Sequence, residues 1–133
     1  MDATHLAAQI EAFVVPLLPP SVTLTRSHST LELRCSDPKP PQGSVWHTID
    51  LGELLDATPT SDDGQLEVDI YSALDSLQDF VIEGTAERWP IADVDTSPRV
   101  TVHDDLVDIG FGTYSRDQLI STSFSRVAPP PTL

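Results

Sequence analysis

One cysteine, one lysine, no asparagine and no long apolar run: this 133-residue chain is first characterised by what it is short of. With Cys35 alone, no disulfide can form within the chain, and nothing in cysteine usage points to an oxidising compartment. The longest apolar-rich stretch, Ala12–Leu18, falls far short of the roughly 20 residues a membrane helix requires. The N-terminus has no basic segment followed by an unbroken apolar one, so the sequence predicts no secretory leader and a cytoplasmic protein. The lack of asparagine and lysine is the bias a GC-rich genome imposes, and it carries no chemistry.

Positive charge is also scarce. Seven basic side chains stand against 21 acidic ones, for a net charge of −14. The imbalance is local: from Asp50 to Asp108 there are 16 acidic residues, and only Arg88 and Arg99 oppose them. Binding nucleic acid through its phosphates needs a positive face, and the chain has none. An anionic membrane surface would repel it as well. A basic protein would be attracted and steered to it.

Catalytic and cofactor motifs are missing too. There is no GxSxG, HExxH, CxxC or GxGxxG pattern. The pair of glycines in "IGFGT", 109–113, is followed by no lysine and reads as a kink or close packing within a strand. "SDDG", 61–64, has the composition of a calcium loop but the wrong ligand spacing. The sequence predicts no cofactor, no metal and no catalytic residue.

What is present is a periodic pattern punctuated by proline clusters at 16–20, 38–41 and 129–131. Leu6, Ile10, Phe13 and Leu17 recur at helical spacing and predict a helix over about 3–15, capped by Asp2 or Thr4 and ended by the prolines. Residues 22–35 alternate like a hairpin. A loop at His28-Ser29 would pair Arg26 with Leu31, Leu24 with Leu33 and Val22 with Cys35, all on one face. A third strand follows over 44–51, with Val45, His47 and Ile49 on one face and Trp46, Thr48 and Asp50 on the other. A second helix spans about 69–86, capped by Asp69 and carrying a stripe of Ile70, Ala73, Leu74, Leu77, Phe80 and Val81. A second hairpin covers 98–112, and a short strand is expected within 117–124. The fold class is α+β: an antiparallel β-sheet built from hairpins 22–35 and 98–112 plus strand 44–51, with both helices packed against it. One domain over 1–128 is expected, with a flexible proline-rich tail at 129–133.

The most suggestive stretch is "VTVHDDLVDIGFG", 100–112, with His103 beside Asp104 and Asp105. An imidazole and two carboxylates can bind a divalent cation. A two-residue turn at Asp104-Asp105 accounts for all three residues, however, and it pairs Val102 with Val107 and Val100 with Ile109. We therefore read a turn. His47, in phase with the apolar face of its strand, needs a hydrogen-bond partner if buried. Trp46 has two readings: an exposed interaction anchor on a polar face with Thr48 and Asp50, or a core residue covered by the first helix. Trp89 is expected to pack the end of the second helix, and Cys35 to be a small core residue.

The order of elements from Leu6 to Phe111, the length and the acidity resemble the small acidic chaperones of type III secretion and related domains. In that group an α-β-β-β-α-β-β chain dimerises and holds an unfolded segment of another protein. The resemblance implies a binding role and a homodimer; it identifies no residue. The leading expectation is a non-enzymatic protein-binding module (chaperone, adaptor or immunity-type inhibitor) whose contacts would centre on Trp46, Thr48 and Asp50. Two alternatives stand beside it. One is an acidic blocker of a nucleic-acid-binding protein. The other is a small metal-binding protein or enzyme using His47 and His103.

Overall fold

Helix formation begins at Asp2, whose carboxylate accepts the N–H of Thr4 at 2.9 Å and so caps the first turn. In the computed structural model, residues 1–39, 45–56, 63–91, 96–112 and 120–127 are described. Helix α1 runs Ala3–Val14 and passes into a single 3-10 turn, Val15–Leu17, where Pro16 ends regular hydrogen bonding. Its apolar side, Leu6, Ala7, Ile10 and Val14, is buried. Each of the larger side chains contributes about 1.5–3 kcal/mol by leaving water.

Strands β1 (Val22–Ser27) and β2 (Thr30–Cys35) form the expected hairpin, in the expected register of Arg26 with Leu31, Leu24 with Leu33 and Val22 with Cys35. His28 makes the turn with a positive φ of 54°. Strand β3 (Trp46–Asp50) then pairs antiparallel with β2, setting Leu33 opposite His47 and Arg34 opposite Trp46. The strand is shorter than the 44–51 predicted. Leu51 leaves the sheet and opens a short helix, α2 (Leu51–Asp56), which the sequence reading missed. The Asp50 carboxylate accepts the N–H of Glu53 at 3.1 Å and fixes that start.

Helix α3 covers Asp63–Thr85 and begins six residues before the predicted start. Asp69 is therefore not its cap. It lies inside the helix, buried, and accepts a hydrogen bond from Gln65 one turn earlier at 3.1 Å. The buried Gln78 side chain donates to the carbonyls of Trp89 and Thr96, which holds the chain leaving the helix.

Strands β4 (Ser97–His103), β5 (Leu106–Gly112) and β6 (Ile120–Ser125) complete the chain. Asp104 and Asp105 form the turn as read, with Asp104 at φ 53°, Val102 opposite Val107 and Val100 opposite Ile109. The class is α+β, but the strands make two sheets rather than the single one expected, ordered β1-β2-β3 and β4-β5-β6. One cluster of buried residues joins them. Phe111 of β5 is its hinge point. Its ring stacks on Phe13 of α1 with centroids 6.1 Å apart and meets Trp89 edge-on at 5.2 Å. The Trp89 indole donates to the Leu17 carbonyl at 2.8 Å, so Trp89 packs between the end of α1 and β5 as well as following α3. The predicted tail, 129–133, lies outside the described residues, as does most of the "DPKPPQG" loop.

Candidate functional site

Alternation along β3 decides what this strand offers to a partner. Trp46, Thr48 and Asp50 share a face with Arg34, Glu32 and Thr30 of β2 and with Thr23, Thr25 and Ser27 of β1. That face is polar and solvent-facing except for Trp46, whose side is 55% exposed. The reading in which a helix covers Trp46 is thereby set aside, because α1 and α3 pack on the opposite, apolar face. Val45, expected to face the core, is instead 58% exposed just before the strand begins.

The backbone of β3 is equally specific. The Val45 carbonyl accepts the N–H of Cys35 at 2.8 Å, and the N–H of Leu51 donates to the Ser29 carbonyl at 3.0 Å. In an antiparallel ladder the hydrogen-bonding residues alternate. Odd-numbered residues 45–51 therefore bond to β2, and the N–H and C=O groups of Trp46 and Thr48 point away from it. β3 is an end strand of its sheet, as β1 is, and is hydrogen-bonded on one side only among the described residues. β4, one of the two end strands of the other sheet, is guarded at one point: the Glu67 side chain of α3 accepts the N–H of Val102 at 2.7 Å.

Alongside the free edge of β3 runs a groove of about 740 Å³, walled by His47, Thr48, Ile49 and Asp50, by Glu53 and Leu54 of α2, and by Ser72, Ala73 and Ser76 of α3. Consecutive residues 47–50 point to alternate faces of the sheet, so a space touching all four lies along the strand's edge. At its far end a second hollow of about 240 Å³ continues past His47 and Ser76 to Asp79, Phe80 and Glu83. The floor is apolar and the rim acidic: Asp50, Glu53, Asp79 and Glu83, with no lysine or arginine in either lining among the described residues. Asp75, Asp79 and Glu83 follow one another at four-residue steps along α3. Burial first, then the negative charges of Asp75 and Glu83, hold the Asp79 carboxyl above the ordinary aspartate range.

His47 is half-buried where the two hollows meet. Its Nε2 is hydrogen-bonded to Ser76 Oγ at 2.7 Å, and its ring stacks on Phe80 with centroids 6.0 Å apart. A serine beside an imidazole invites comparison with a nucleophile and its base. Ser76 lies in the interior of α3, where the surrounding N–H groups are spent on the helix and leave no preformed oxyanion cradle. No carboxylate among the described residues hydrogen-bonds His47 to orient it. The pair ties β3 to α3.

His103 lies on the other sheet, at the end of β4, with Nε2 3.6 Å from a carboxylate oxygen of Asp108. The structure does not bring it together with His47. Among the described residues no group of three or more His, Cys, Asp or Glu side chains is placed to hold a metal ion. Cys35 is buried, packed against Gly84. Among the described residues no helix is long and apolar enough to cross a membrane.

Of the residues singled out from sequence, Trp46, Thr48 and Asp50 do share a face, and Thr48, Asp50 and His47 reach the groove. Glu53, Ser76, Asp79 and Glu83 were missed. The acidic four-residue steps of α3 were readable; their position opposite an open strand edge was not. No family model matches this chain, and neither a curated protein nor a solved structure does.

Proposed function

We propose that this chain is a non-enzymatic, cytoplasmic module that binds another protein, as a chaperone, adaptor or inhibitor does. The observation that carries the reading is Trp46: a large aromatic, 55% exposed, on an otherwise polar sheet face beside an unpaired strand edge. Burying an indole of this kind in a partner's pocket is a common source of interface energy. The high negative charge would steer a basic partner toward it.

The test is a pull-down from native lysate with tagged full-length protein and its Trp46→Ala variant, washed at low and at high salt. A stoichiometric protein that survives high salt and is lost with Trp46→Ala supports the reading. Capture that collapses in high salt and ignores the variant favours an acidic blocker of a basic, nucleic-acid-binding protein instead. No protein captured under either wash removes both.

A further inference from the structure

We infer that the groove between the free edge of β3 and helix α3 receives an extended, lysine- or arginine-bearing segment of another protein, added as a fourth strand beside Trp46–Asp50. The inference rests on the binding-module reading and gives it a site and a partner chemistry.

Three features converge on it. The first is hydrogen bonding. Trp46 and Thr48 present their N–H and C=O groups outward with no strand beyond them among the described residues, which is the template an added strand uses. Five residues of β3 offer about 17 Å of ladder at roughly 3.4 Å per residue. The second is shape. The space along that edge has an apolar floor of Ile49, Leu54 and Ala73, so every second side chain of an added strand would find apolar surface there. The third is charge. Asp50 and Glu53 line one part of the groove, Asp79 and Glu83 the other, and among the described residues neither lining includes a lysine or arginine.

That acid is unfavourable in the chain alone. Carboxylates four residues apart on a helix repel each other. Glu83 adds a negative charge in the last turn of α3, where the helix dipole already disfavours it. A cationic side chain laid between α3 and β3 would relieve both. An acidic or purely apolar strand would not. The other edge strand facing α3, β4, has its N–H at Val102 occupied by Glu67, and the hollow beside it is smaller, about 230 Å³, with Glu67 the one acid among its described lining residues.

The experiment is selection of a displayed library of random peptides, about ten residues long, on the immobilised full-length protein at low salt. A synthetic copy of the most enriched peptide is then bound to purified protein. The enriched peptides are expected to alternate apolar residues with lysine or arginine. Binding should weaken by about tenfold or more in the exposed double variant Asp79→Lys/Glu83→Lys, and similarly in Thr48→Pro, which removes an outward donor. Should Thr48→Pro fold poorly, amide exchange on the wild-type protein reads the same point: the peptide should protect the N–H groups of Trp46 and Thr48.

An absence of enriched peptides, enrichment without basic residues, binding indifferent to the charge reversal, or protection elsewhere would each overturn the inference. If Trp46-dependent capture from lysate persists in that case, the binding-module reading stands and only the groove is lost. If capture fails as well, both fall together.

Discussion

His47 Nε2 and Ser76 Oγ lie 2.7 Å apart, and this hydrogen bond fastens the edge strand β3 to the middle of α3. The contact is half-buried. Ser76→Ala should cost about 1 kcal/mol of stability, the usual net worth of such a bond. Urea denaturation followed by circular dichroism checks it. A variant as stable as the parent would mean that the β2 ladder and the stacking of His47 on Phe80 hold the strand without this bond.

Phe111 touches both Phe13 and Trp89 and is fully buried. Phe111→Ala should therefore cost about 3–5 kcal/mol, the range for emptying an aromatic core site. It should also loosen the Trp89 indole, whose bond to Leu17 depends on that packing. Loss of native stability in thermal melts, with a change in the buried tryptophan's emission, is the expected pair of readouts.

Gly110 sits where β5 meets β6. A Cβ added there would come 2.5 Å from the Ile120 carbonyl oxygen and 2.8 Å from Ser121 Cβ. The first obstacle is backbone, so relief requires moving a strand. Gly110→Ala should destabilise by about 1–3 kcal/mol, as overpacking typically does. Denaturant midpoints compared with those of Thr101→Ala, an exposed site on the neighbouring strand, would isolate the steric effect.

Asp79 titrates above the ordinary aspartate value of 3.8, because burial and then Asp75 and Glu83 disfavour its charged form. A raised acid contributes stability that is complete below the ordinary value and lost as pH climbs through the folded one. At neutral pH the ionised Asp79 therefore weighs against the fold. Asp79→Asn should be the more stable protein at pH 7, by a few tenths of a kcal/mol for the like-charged neighbours relieved. The advantage should vanish as the pH drops below 4. Stability measured against pH in both proteins tests it, and a wild type more stable at pH 7 would contradict it.

Local pattern carried the hairpins into view. Alternating apolar residues and two short polar turns leave one register that keeps Leu24, Leu33 and Cys35 on the same side, and likewise Val102, Val107 and Ile109. The end of α1 followed from Pro16 for an equally local reason. Helix α2 escaped notice because "LGELLD" is too short to show periodicity, although Asp50 followed three residues later by Glu53 is a capping signature in plain sight. The start of α3 was misplaced because Gly64 and the aspartates before it have turn chemistry; tertiary burial of Leu66 and Ile70 overrides that preference.

The split into two sheets and the groove belong to a different scale. Strand order along the chain does not say which strands hydrogen-bond, so neither the break between β3 and β4 nor the unpaired edge could be read from it. The groove joins residues 47–54 to residues 72–83, and only the packing of α3 across β3 sets them side by side. Trp46 was legible as a question, and its exposure became definite once α1 was located on the opposite face.

An unpaired strand edge is a hazard to any protein that carries one, since identical chains can zip together along it. Here the same four carboxylates that border the β3 edge would meet their own copies across such a contact, with no lysine or arginine among the described lining residues between them. Like charges facing each other across that contact would oppose it. Under the proposed reading, the sign of the charge at this edge favours a basic strand over a second copy of the chain.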